Sequence, residues 1–488
     1  MDLHNLGDLT IYSQSIVNQD GTTYFLAHSG GELAKRLGII GDSAGFDGSV
    51  HNPSGALLCP LSAQNCTLLR ERLPWLNPSP LGLKTSAGFG DRLGLATPGH
   101  VLALQAALQG ASDPADVAPI FAQQSVRENA RTGRPPRQVL DDAVWGVFES
   151  GWRGDWGADA DHLKTFGDAD EFAAAGFTFF TVDPGDHVDN EAHAASLAVL
   201  KDKLAVLPWK DLEDSREELY ARYLGQTFEV ETISLSFDEE HLLRAACKYS
   251  SAIRHAVHMY RHLVDSMGDR PFELEVSVDE TATPTSPLEH YFIASELRRL
   301  GVRWVSLAPR YVGRFEKGVD YIGDLDEFEE AIAQHAAIAR KFGPYKLSIH
   351  SGSDKFTIYP IIAQYTKGLV HLKTAGTSYL EALRAIADVD PVLFRQIFAF
   401  SKGRYEMDRA SYHVSGDLSK VPAADDLTDE QLGTVLDQFD ARQVLHVTFG
   451  SVLDWFGDQF KVGLAQNETA HYEALEKHFI KHIAPLLV

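Results

Sequence analysis

The sequence predicts an α/β protein: a (β/α)8 TIM-type barrel with an N-terminal extension, a helical insertion after strand 4 and a helical C-terminal extension. Three observations predict it. A strand-like segment followed by an amphipathic helix recurs eight times from residue 86. Polar and charged residues gather where those strands end. In several strands acidic or histidine residues fall at every second position, which puts them on one face.

The first strand lies in SAGFGDRLGL (86–95), and its helix opens at Pro98, where proline is pre-organised for helix entry. The second is APIFAQQ (118–124), the third GDWGADADHL (154–163) and the fourth FTFFTVDPG (177–185). A long helical stretch, about 190–268, then interrupts the rhythm. FELEVSVDE (272–280), VRWVSLAPR (302–310), YKLSIHSGS (345–353) and LVHLKTAG (369–376) complete the eight, each followed by a helix. This divides the chain into an N-terminal extension (1–75), a catalytic barrel (76–389) and a mostly helical C-terminal extension (390–488). An open doubly wound sheet is the competing arrangement.

Of 488 residues, 44% are apolar and 23% charged, the make-up of an ordinary globular protein. The net charge of −24 argues against a nucleic-acid partner, and an anionic substrate must find local Lys or Arg. Cys59, Cys66 and Cys247 are too few and too far apart for a disulfide framework or thiolate metal site. No apolar run approaches the roughly 20 residues of a membrane span. The first residues lack the basic and apolar regions of a leader, so a cytoplasmic protein with no membrane partner is expected. Oligomeric state stays open, a homo-oligomer included.

In such barrels the active site lies at the C-terminal strand ends. That rule selects Asp91, Arg92, Gln123, Gln124, Asp161, His162, Lys164, Asp183, Glu275, Asp279, Arg310, His350, His371 and Lys373. Alternation points Glu273, Glu275, Ser277 and Asp279 inward in one strand, Lys346, Ser348 and His350 in another, and His371 with Lys373 in a third. Such side chains are costly inside a barrel unless paired or bound to metal. His162, His350 and His371 supply imidazoles, and Glu275 or Asp279 an oxygen. That set suits one divalent cation such as Zn, Mn, Ni, Fe or Co. His255, His258 and His262 share one helical stripe opposite Ile253, Val257, Tyr260 and Val264, which reads as a solvated face. GFGDRLG (88–94) does not fit a nucleotide-binding glycine pattern.

The stretches KTSAGFGDRLGLATPGH (84–100), FAQQSVREN with TGR (121–134), WGADADHLKT (156–165), LSIHSGSDKF (347–356) and LVHLKTAGTSYLEALR (369–384) resemble the tagaturonate/fructuronate epimerase family. The resemblance implies an isomerase of hexuronate metabolism that interconverts fructuronate and tagaturonate at C4. It also implies that Asp161 resembles an acid/base residue, His162 a metal ligand, and His350 the histidine of the seventh-strand motif. Glu275 as a second acid/base group and His371 as a ligand rest on barrel geometry. The C4 proton is not α to the C2 ketone, so retro-aldol cleavage of C3–C4 with metal assistance is the expected route. Arg92, Lys164 and Lys373 are candidates for the substrate carboxylate, with Gln123, Gln124 and Asp183 as further substrate contacts. A metal-dependent ketose isomerase, a class II aldolase and a non-catalytic sugar-acid-binding protein are the alternatives.

Overall fold

The computed structural model describes residues 7–30, 33–52, 54–110 and 117–487. Five antiparallel strands come first: β1 (Leu9–Gln19), β2 (Thr22–Ser29), β3 (Arg36–Ile40), β4 (Ser49–Val50) and β5 (Leu57–Pro60), in the order β1-β2-β3-β5-β4. The β1–β2 turn is Asp20-Gly21, both with positive φ, as a two-residue hairpin turn requires.

Eight parallel strands then close a barrel: β6 (Ser86–Phe89), β7 (Ala118–Ser125), β8 (Gly157–Leu163), β9 (Phe179–Val182), β12 (Glu273–Ser277), β13 (Ser306–Ala308), β14 (Lys346–Ile349) and β15 (Val370–Thr374). Pairing of β15 with β6, Leu372 opposite Ala87, completes the ring. The open sheet is thereby excluded. Apolar residues at alternate positions, such as Ala158, Ala160, Leu274, Val276, Leu347 and Leu372, are buried and belong to the main hydrophobic core. Several strands run into helices through capping boxes that anchor the active-end loops: Ser125 with Glu128, Thr165 with Asp168, and Ser286 with Glu289.

The stretch after β9 holds helices Leu197–Ala205, Arg216–Tyr223 and Glu239–Met267, as expected. It also holds a two-stranded hairpin, β10 (Thr227–Val230) and β11 (Ile233–Ser236). The alternating ISLS and TFEV segments favour strand over helix. On the predicted solvated face of the long helix, His255 stacks on His187, and His262 pairs with Asp170 at 2.7 Å. After the barrel come helices Pro391–Asp408, Phe439–Val447, Phe449–Gln466 and Glu468–Ile483; the second and third reach the βα loops, and the last packs on helices Thr97–Gly110 and Thr377–Val389. Arg442 donates to the Gly318 carbonyl, and the Phe449 ring covers the Arg92 guanidinium at 3.6 Å.

The barrel interior is polar, where packed aliphatic side chains are usual. At its base Glu273 accepts from the backbone N–H groups of Leu81 and Gly82. Above it, Ser86 bridges Lys346 Nζ (3.0 Å) and His371 Nδ1 (2.9 Å). Burial pulls the Lys346 ammonium down to about 8. The next layer centres on Lys373, and the top layer opens to the active-end loops. Among the described residues no helix is long and apolar enough to cross a membrane.

Candidate active site

Lys373 Nζ lies 2.8 Å from Asp159 Oδ2, 2.8 Å from Asp161 Oδ1 and 3.1 Å from Glu275 Oε1, and donates to Thr181 Oγ1 at 2.7 Å. One ammonium therefore holds three carboxylates in a fully buried layer. Such a centre is tolerable only when its charges are matched. Burial pushes Glu275 up, but Lys373, His371 and His350 outweigh it and hold the carboxyl at about 2. Burial likewise opposes ionisation of Asp161, and Lys373 with His162 and His350 keeps it well below the usual carboxylate range.

Above this layer Asp161, His162 and His350 converge, with ligand atoms all within 4.8 Å of one another. Strict alternation would send Asp161 and His162 to opposite faces. A register shift between Ala160 and Leu163, with His162 at φ 55°, turns both toward the same site. His162 Nδ1 faces Asp183 Oδ2 at 3.0 Å, which fixes the ring and leaves Nε2 for the site. His350 Nδ1 is 3.1 Å from Ser277 Oγ, and its Nε2 is 3.1 Å from Asp161 Oδ1 without an aligned hydrogen bond. The two rings are 4.3 Å apart.

These residues fit a divalent cation. They offer two imidazole nitrogens and a carboxylate, the mixed donor set such ions take. Both histidines have their other nitrogen oriented by a neighbour, and His350 Nε2 is buried beside Asp161 without an aligned hydrogen bond. Ligands at about 2.1 Å from one ion stand about 3 to 4 Å apart, close to the observed gathering. Three carboxylates around one ammonium also leave negative charge for an ion to balance. Burial opposes protonation of His162, but Asp161 and Asp183 raise it to about 10, so an ion would have to displace a proton there.

A second group, Asp354, His478 and His482, is differently engaged. His482 Nε2 accepts from the Asp354 N–H (3.0 Å), and His478 bridges Asp354 (2.6 Å) and Glu381 (3.2 Å). Arg442 spans the same two carboxylates. That cluster is a buried ion-pair hub with its donors and acceptors already used.

Other residues selected from the sequence take different places. His371 stands apart from the gathered ligands, deeper in the barrel on Ser86 and 3.9 Å from Asp159. Alternation gives the direction of a side chain and not its depth. Glu275 points inward as expected but is sealed beneath the site at 0% exposure. Arg92 is held by Glu128 at 2.8 Å, and Lys164 reaches Asp186 (3.0 Å) and Asp183 (3.7 Å). Asp183 acts on His162. Gln124 donates to Thr132, and Gln123 lines a separate small cavity with Asp91 and Arg134. Asp91 itself caps the turn at Leu93, Gly94 and Ala96.

The site opens into a cavity of about 440 Å³ lined by Asp279, Glu280, Arg127, Lys317 and Tyr412, among others. His350 forms part of its wall. Of the residues missed, Asp159 was legible, because GADADHL puts it on the face of Asp161. Lys317 and Arg127 had no such signal: one lies in an irregular loop and the other on a short helix.

A profile of tagaturonate epimerases matches residues 12–486. The chain belongs to the tagaturonate epimerase family. It is therefore an epimerase, an isomerase by class. It is 44% identical over 486 residues to the tagaturonate/fructuronate epimerase of Thermotoga maritima, covering 97% of this chain and 96% of that protein. Crystal structures of the fructuronate-tagaturonate epimerase UxaE from Cohnella laeviribosi, native and with one glycerol, match at 38% identity and a TM-score of 0.91, over 98% of this chain and 97% of that one.

Proposed function

We propose that the chain interconverts D-fructuronate and D-tagaturonate, with a divalent cation bound by His162, His350 and Asp161. The convergence of these three residues beside an open cavity is the observation that carries the reading. Family membership supports the substrate pair. Zn, Mn, Ni, Fe and Co all suit the donor set. A soluble cytoplasmic enzyme fits the absence of a membrane-spanning helix among the described residues and the three free cysteines.

The two sugars differ at C4, and loss of the C4 proton would leave an anion with no adjacent carbonyl. Cleavage of C3–C4 avoids that difficulty. The C4 hydroxyl loses its proton, C4 becomes an aldehyde, and the bonding pair passes to C3 as an enediolate with C2. The aldehyde turns its other face, C3–C4 forms again, and the C4 alkoxide takes a proton back. A divalent ion held by His162, His350 and Asp161 would supply Lewis acidity to the reacting ketose.

The residues of the chain handle the protons. Lys373, His162 and His350 hold the Asp161 carboxyl well below the usual range, and it borders a narrow chamber beside the two histidines; one of its oxygens would serve the ion and the other would accept the hydroxyl proton. The second carboxylate is better filled by Glu280 than by Glu275. Glu280 lines the main cavity and groups with His162 and Asp183, whereas Glu275 is sealed below. Glu275 then acts through Lys373, sharing one ammonium with Asp161 and setting the charge under the site.

The test is turnover of fructuronate in deuterated water, followed by NMR. Tagaturonate with protium retained at C4 is the expected product. Deuterium at C4 would overturn the cleavage route, and binding without turnover would favour a sugar-acid receptor.

A further inference from the structure

A hexuronate differs from a neutral ketose by one carboxylate, and a chain of net charge −24 must supply a local cation to hold it. The three cations expected from the sequence to take the carboxylate are already engaged. Arg92 pairs with Glu128, Lys164 with Asp186, and Lys373 with three carboxylates. The walls of the cavity show a different pair.

Lys317 and Arg127 line both the main cavity and the narrow chamber that reaches Asp161 and His162, as do His350 and Tyr412. They stand where the two spaces meet. Lys317 Nζ donates to Ser351 Oγ at 2.9 Å, which ties it to the residue after His350. No carboxylate among the described residues comes within 4 Å of it. Arg127 has a loose contact to Glu280 at 3.9 Å, and its guanidinium stands 5.9 Å from the Tyr412 ring. Burial, then the charge of Arg127, lower the Lys317 ammonium, while the more distant Asp279, Glu128 and Glu280 raise it; an anion placed between the two cations would favour the charged form further.

We propose that Lys317 and Arg127 form the receptor for the carboxylate of the sugar acid. This rests on the function proposed above and names the residues that select an acid over a neutral sugar. The placement suits the chemistry. The carboxylate carbon lies two carbon–carbon bonds of about 1.5 Å from C4, so its anchor must stand beside the reacting centre. Once C3–C4 has parted, the aldehyde fragment keeps its carboxylate as a charged handle. A receptor that grips the carboxylate equally before and after cleavage contributes uniform binding, which shows in KM rather than in kcat.

The test is steady-state kinetics on fructuronate at constant low ionic strength. Lys317→Met raises KM about 10- to 100-fold, the worth of a charge-assisted contact, while kcat changes by less than about 3-fold. Lys317→Arg recovers most of the KM, because it restores the charge. Arg127→Met, at a partly exposed position, raises KM in the same sense. An unchanged KM in both methionine variants, or a fall in kcat alone, overturns the proposal. A wild-type protein inert toward fructuronate instead removes the functional reading beneath it.

Discussion

Replacing Asp354 by Asn tests how the C-terminal helices hold the loop that carries His350. Asp354 follows His350 by four residues and sits in the left-handed region at φ 61°. Its Oδ1 accepts from His478 (2.6 Å) and Arg442 (3.0 Å), its Oδ2 from Thr377 (3.1 Å), and its N–H donates to His482 (3.0 Å). Asn keeps the shape and removes the anion. Arg442 and His478 then share Glu381 alone. Removing one partner of a buried pair costs about 3 to 5 kcal/mol, a large part of the roughly 5 to 15 kcal/mol that holds a domain folded.

The pH dependence adds a second readout. Burial opposes ionisation of Asp354, but Arg442, His478 and His482 hold its carboxyl well below the ordinary value of 3.8. A carboxyl depressed on folding stabilises the protein fully above its unfolded pKa, and that contribution fades as pH falls toward the folded value. The gap between wild type and Asp354→Asn is therefore flat from about pH 7 to 5 and narrows below about pH 4. Urea unfolding followed by tryptophan fluorescence measures it. A gap under about 1 kcal/mol at pH 7, or one that stays constant through pH 3.5, refutes the ion-pair reasoning.

Three further outcomes follow from the geometry. Lys373→Met leaves Asp159, Asp161 and Glu275 without their shared cation; it lowers kcat at least about 100-fold and unfolding free energy by about 3 to 5 kcal/mol, by kinetics and urea titration. His371→Asn keeps its bound divalent ion, because His371 contacts Ser86 below the site; loss of the ion on elemental analysis would restore it as a ligand. Gly376→Ala costs about 1 to 3 kcal/mol in thermal or urea unfolding, since φ is 87° and a Cβ would press on His446 and Arg92.

Much of this was legible in the sequence. Eight strand–helix units close as read, and the inward faces of FELEVSV, KLSIH and HLK are those that alternation names. Asp161, His162 and His350 were named, and they meet. What alternation lacks is depth. His371 and Glu275 point inward, yet one sits low in the barrel and the other under the site. It also lacks register: nothing in GADADHL announces the shift that turns Asp161 and His162 to one side. The loop cation Lys317 and the hub of Asp354, Arg442 and His478 escape for another reason. Their meaning lies in contacts between segments distant in the chain, where spacing carries no period.

Asp161, His162 and His350 are proposed to share a divalent ion that the epimerase needs. Metal content per chain, measured beside fructuronate turnover on the same preparations, tests it most directly. One ion per wild-type chain is expected, with joint loss of ion and turnover in His162→Ala and in His350→Ala. Full turnover after chelation, or an intact ion in His350→Ala, contradicts it.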